Sequence, residues 1–190
     1  ALQATLNEMA GPVQGDPRPF VVDEVVDPMA GGTAVIRVLP RPLGPGQSIS
    51  ADGDTRSTEA AAVGTVADDD FDEAWLFRHP DREGGLTFAP DPAEATRRMQ
   101  QVTAEALDAL ALRVDDFGVL TVLRSYDPAA EDLHRVGRAL LLQHSILSAG
   151  ELAVRAHAAG FGWVRRTPTD EVHVAVAAGP VYRIVPAAAS

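Results

Sequence analysis

The sequence predicts an α+β fold: a mainly antiparallel sheet with two helices packed on it. Three observations carry that expectation. Short β-rich runs punctuated by Gly and Pro begin at Phe20 and close the chain as three successive strands. Two segments between them repeat apolar residues at helical steps. Finally, 46% of the 190 residues are hydrophobic, enough to bury a sizeable core.

Taken in order, residues 1–20 read as an extended N-terminal arm, broken by Gly11-Pro12, Gly15, Pro17 and Pro19, with a short helix around Leu2 to Met9. Residues 21–190 read as a single domain. Phe20 to Val26 and Thr33 to Leu39 form a hairpin-like pair, split by Pro28 and Gly31-Gly32. Pro40, Pro42, Pro45 and the polar stretch to Thr58 follow as a long loop. The acidic cluster Asp68, Asp69, Asp70, Asp72 and Glu73 reads as a solvated loop or helix start, with a calcium site as the alternative.

From Pro92 to Val114, Met99, Val102, Ala106, Leu110 and Val114 mark a long amphipathic helix, with Pro92 in its first turn and Glu94 at the positive end of its dipole. Gly118 to Leu123 has the length of a strand, and after a polar loop Val136 to Leu142 reads as a buried one. Ser148 and Glu151 have capping-box spacing at a second helix, which buries Leu152, Ala153, Ala156 and Ala159 and ends at Gly160. Phe161 to Arg166, Glu171 to Val176 and Val181 to Val185 complete the sheet. There is no internal repeat.

Charge and composition exclude several functions. With 27 acidic against 16 basic residues the net charge is -11, which repels phosphate backbones and anionic lipid, so no nucleic-acid partner is expected. Every basic residue is Arg, a bias that points to a GC-rich, bacterial coding sequence. The chain has no Cys, which rules out disulfides, thiol catalysis and Cys-ligated zinc. No apolar run is long enough to span a bilayer, and no signal-peptide pattern opens the chain.

Among the histidines, His79, His144 and His157 read as surface or locally bonded groups. His173 lies inside the strand Glu171 to Val176, whose alternation sends Val172, Val174 and Val176 to the core and Glu171 and His173 to the other face. A neutral imidazole and a carboxylate placed together there are able to share a cation. His134 opens a second segment, Leu133-His134-Arg135-Val136-Gly137-Arg138-Ala139.

That second segment resembles the Leu-His-x-x-Gly-Arg-Ala pattern of the Hedgehog amino-terminal signalling domain. It is also similar to the His-x-x-Gly-x-Ala-x-Asp signature of zinc D-Ala-D-Ala peptidases. Ala159-Gly160-Phe161-Gly162-Trp163-Val164 resembles the Hedgehog Ala-Gly-Phe-Asp-Trp-Val segment, and Glu171-Val172-His173-Val174 its His-x-His strand. The likeness runs in order from about Pro90 to Val176 and more loosely from Gly64.

It implies a Hedgehog/D-Ala-D-Ala-peptidase-like fold with Trp163 buried, and a zinc ion held by His134 and His173. The acid that completes the family's set falls on Leu141, and the acid Hedgehog proteins keep ahead of the last His falls on Thr167. The general base of the peptidases corresponds to Asp170, and Glu171 stands where Hedgehog has its extra His. Zinc is therefore expected to be weak or absent unless Asp170 or Glu171 completes the site. Calcium is not expected either, because Arg124 and Thr96 replace carboxylates that the family uses, leaving Asp127 in place and Asp91 and Glu94 nearby.

The resemblance implies a degenerate zinc-peptidase fold used as a binding module for a peptide, a peptidoglycan fragment or a partner protein, in a secreted or cell-surface setting. A working zinc peptidase acting on cell-wall peptides, with Asp170 as its base, is the alternative. A structural domain of a larger secreted or surface assembly is a third.

Overall fold

The computed structural model describes residues 41–51, 57–65, 71–80 and 84–179, together with the backbone of strands β1 (Phe20–Val26) and β2 (Val35–Pro40). The N-terminal arm, Asp68 to Asp70 and the expected strand Val181 to Val185 lie outside these residues. β1 and β2 pair antiparallel, as the Pro and Gly spacing predicts.

The remaining elements are β3 (Ser48–Ser50), α1 (Glu59–Val63), β4 (Phe77–Arg78), β5 (Leu86–Phe88), β6 (Arg98–Met99), α2 (Gln101–Val114), β7 (Leu120–Arg124), β8 (Ala139–His144), α3 (Ala149–Ala158), β9 (Trp163–Arg166) and β10 (Val172–Ala175). Six strands form one sheet in the order β3-β9-β10-β8-β7-β5. Every pairing in it is antiparallel except β5 with β7. The class is α+β with a mixed, mostly antiparallel sheet. β4 and β6 form a separate two-stranded ribbon.

Strand alternation gives the sheet two different faces. Ile49, Leu120, Val122, Leu140, Leu142, Val164, Val172 and Val174 point to one side. There they form a continuous core with Leu107, Leu110 and Val114 of α2 and Leu152, Ala153 and Ala156 of α3. On the other side Ala139, Trp163 and Ala175 meet Val63 of α1 and Leu133 and Val136 in a smaller apolar cluster. Among the described residues, α2 and α3 pack on the first face, and α1 and the turn Leu133–Val136 pack on the second. Among the described residues no helix is long and apolar enough to cross a membrane.

The long helix starts later than its apolar period suggests. Pro92 lies outside it: the Asp91 carboxylate accepts hydrogen bonds from the amides of Ala93, Ala95 and Thr96, and Glu94 is left-handed at φ 52°. That local bonding satisfies the backbone in a turn instead of a helix. The chain then passes through a 3-10 turn and β6 before α2 begins at Gln101. Likewise the stretch expected as strand from Val136 begins as a 3-10 turn, Leu133–Val136, and β8 starts only at Ala139.

Gly137 separates the two, at φ 69°, where a Cβ would lie 2.6 Å from Leu76 Cδ2 and 3.1 Å from Met99 Cα. Only glycine fits both the backbone and the space. The turn is tied to α2 by Gln100 Nε2, which donates to the Val136 carbonyl, and by Thr103 Oγ1, which donates to the Gly137 carbonyl. A buried clamp thus fixes the segment that carries His134.

Candidate metal centre

His134 stands on the 3-10 turn and His173 on β10, and the fold brings them together on the second face of the sheet. Their ring centroids lie 4.9 Å apart. His134 is 2% exposed. Trp163, buried as expected, meets the His173 ring edge-on at 5.3 Å and fixes its tilt. Antiparallel register places Leu141 directly opposite His173, on the same face.

Asp132, which the sequence reading passed over, is built into this site. Its Oδ1 accepts the His134 backbone amide at 3.0 Å, capping the 3-10 turn, and the His134 Nδ1–H at 2.8 Å. An acceptor at Nδ1 keeps that nitrogen protonated and leaves the Nε2 lone pair unprotonated, the tautomer a metal ligand requires. Burial holds the His134 pKa below its ordinary value, against the opposing pull of the Asp132 hydrogen bond, with His173 lowering it further. The same hydrogen bond holds the Asp132 carboxyl well below the usual carboxylate range. Asp132, His134 and His173 offer one ligand atom each within 4.8 Å of one another.

A second acidic residue comes from far away in sequence. Glu59 opens α1, and its Oε1 lies 3.3 Å from His173 Nε2. Neither atom makes a hydrogen bond, and His134 Nε2 is likewise buried without a partner. Sequence offered a signal for Asp132, whose Asp-x-His spacing suits a capping turn. It offered none for Glu59, whose place depends on how α1 docks.

The acids named from sequence are placed elsewhere. Asp170 sits in the exposed turn between β9 and β10, where its Oδ1 accepts from Arg166 Nε at 2.9 Å and Nη2 at 2.6 Å. Glu171 precedes β10 and accepts from the Thr169 hydroxyl at 2.9 Å. Neither is grouped with the two histidines. The turn closes on itself because Thr167 Oγ1 accepts the Glu171 amide, and Asp170 adopts a left-handed φ of 67°.

Of the other histidines, His79 is buried against Phe88 with Nδ1 2.9 Å from the Pro80 carbonyl, so it is locally bonded rather than on the surface. His144 Nδ1 accepts the amides of Ile146 and Leu147, and His157 Nε2 lies 2.8 Å from the Ser50 carbonyl. The carboxylates considered for calcium are engaged locally. Asp127 pairs with Arg124 at 2.6 Å, Glu94 with Arg78 at 2.7 Å, and Asp91 holds backbone amides. Asp72 caps a 3-10 turn and Glu73 pairs with Arg98.

The chain matches no protein-family model, and comparison with curated proteins finds no match either.

Proposed function

We propose that this domain is a zinc-peptidase-like scaffold, similar to those of Hedgehog signalling domains and D-Ala-D-Ala peptidases, retained as a binding module that takes a divalent cation between His134 and His173. The carrying observation is the pair of close imidazoles, fixed by Asp132 and Trp163, of which both Nε2 atoms are buried without a hydrogen bond. Buried polar atoms left unpaired cost stability, and a cation such as zinc satisfies both at once. Zinc held there supplies a Lewis acid with a position left for an oxygen of a peptide or peptidoglycan fragment.

Among the described residues, the acids that the resemblance or the strand pattern offered as a base or ligand are engaged by other groups. Asp170 is engaged by Arg166, Glu171 by Thr169, and Asp132 by His134. General-base work requires a group within hydrogen-bond reach of the proton it removes. This favours binding over turnover, the working peptidase being the alternative.

The deciding experiment mixes zinc-supplemented protein with a peptide ending in D-Ala-D-Ala, following binding by calorimetry and free D-alanine by chromatography. The expected outcome is binding that weakens in His173→Ala, with no D-alanine above the buffer rate. Release of D-alanine that disappears in His173→Ala would make the chain an enzyme.

A further inference from the structure

We infer that Arg165 reads the free carboxylate of the bound ligand, so that the module takes a peptide by its C-terminal end. The inference rests on the peptide-binding reading of the His134 and His173 site and names the ligand chemistry that site selects. Sheet register carries it. Leu141 of β8, His173 of β10, Arg165 of β9 and Ser48 of β3 stand in one row across four strands. Arg165 is thus the direct cross-strand neighbour of His173. Alternation sends both side chains to the face opposite Val164 and Val174, which lie in the main core. Residues opposed in this way have Cβ atoms about 4.5–5.5 Å apart.

Arg165 differs from the arginines around it. It is exposed, and its side chain makes no hydrogen bond or ion pair with a described residue. Arg124 is paired with Asp127 at 2.6 Å, Arg138 donates to the carbonyls of Val63 and Val176, and Arg166 holds Asp170. The acids that follow Arg165 in the turn are engaged without it, Asp170 by Arg166 and Glu171 by Thr169. In a chain with 27 acidic and 16 basic residues, this leaves an uncompensated positive charge beside His173 on an otherwise acidic molecule.

The chemistry of the two neighbours is complementary. A guanidinium presents its donors as a planar fork that matches a carboxylate with two parallel hydrogen bonds. A cation held by the imidazoles takes a neutral carbonyl oxygen, so the two groups divide a chain end between them. Extended peptide advances about 3.3–3.6 Å per residue. The cross-strand step from His173 to Arg165 therefore corresponds to one or two residues, with the terminal carboxylate at Arg165 and a carbonyl ahead of it at the cation. Ser48, next in the row, is buried and donates to the Ser57 carbonyl, which leaves Arg165 as the outer group with donors for a ligand. An internal stretch of peptide, or a C-terminal amide, offers no charge at that place. Arg165 is on this account a specificity-determining residue for chain ends.

Calorimetry of zinc-supplemented protein with a peptide ending in D-Ala-D-Ala, as the free acid and as its C-terminal amide, tests this in the parent, Arg165→Gln and Arg165→Lys. Circular dichroism and a zinc titration of each variant are the controls for folding and for the cation site. The parent should bind the free acid about 10-fold or more tighter than the amide, as expected for hydrogen bonds between charged groups. Arg165→Gln should bind acid and amide alike while its zinc affinity stays that of the parent. Arg165→Lys should keep part of the preference, since it retains the charge but not the fork. Equal affinity for acid and amide in the parent would overturn the inference while leaving the peptide site standing. So would an undiminished preference for the acid in Arg165→Gln. A parent that binds neither peptide would overturn the peptide-binding reading itself, and this inference with it.

Discussion

Leu141 occupies the position where the resemblance expects an acidic ligand, and strand register sets it opposite His173 on the second face of the sheet. A side chain on that face is free to be changed without entering the main core, which lies on the other side with Leu140 and Leu142. Leu141 is only half-buried and also borders a second cavity with Leu123, Arg124 and Tyr126. Leu141→Asp should therefore add an oxygen and a negative charge beside the two imidazoles and raise zinc affinity by about tenfold or more. Leu141→Asn, similar in size but neutral, should gain less. Calorimetric titration of the two variants beside the parent decides it. Equal affinities in all three would mean that position 141 does not reach the cation.

Among the elements, α3 shows how local chemistry sets a boundary that sequence reveals. Ser148 Oγ accepts the Glu151 amide at 3.3 Å, and Glu151 Oε2 accepts the Ser148 amide at 3.2 Å, a reciprocal cap. Ser148→Ala removes half of it and should cost about 1 kcal/mol, read as a lower urea midpoint with an unchanged slope. An unchanged midpoint would show that packing of Leu152 and Ala156 alone holds the helix start. The same kind of reading failed at α2, because Asp91 offered its carboxylate to the amides of Ala93, Ala95 and Thr96 and pulled the chain into a turn.

Apolar period reports which residues face the core but not whether a polar side chain will compete for the backbone. The burial of the Val face of β10 was legible from alternation, whereas that of Trp163 was implied by the family resemblance. In the site, His134 and His173 were legible because each sits in a recognisable segment. Glu59 was not, since it is joined to them only by the docking of α1 through Arg138 and Trp163. Asp170 was named from the peptidase resemblance and Glu171 from strand alternation, and in the structure Arg166 and Thr169 decide where their carboxylates turn.

On the scale of the whole molecule, three histidines are kept uncharged by the fold, which makes stability depend on pH. Burial is the first cause of a lowered pKa at His134, His144 and His157 alike. Each group in the folded chain therefore binds a proton less readily than in the unfolded chain, where the ordinary value is about 6.5. Between the lowered values and about 6.5 the unfolded state carries more protons, so stability rises with pH across that window. It is fully present above the window and is lost as pH falls through it. Asp132, also held low, adds a further loss below the ordinary carboxylate value, with the same sign. The urea midpoint should thus fall between pH 7.5 and pH 5, before carboxylates titrate in the unfolded chain. His157→Gln provides an internal check. Its amide can still donate to the Ser50 carbonyl that His157 Nε2 meets at 2.8 Å, yet it cannot take up a proton. The variant should show a shallower decline than the parent over the same range. A midpoint that stays constant from pH 7.5 to pH 5 in the parent would mean that these imidazoles reach water in the folded chain, contrary to their burial.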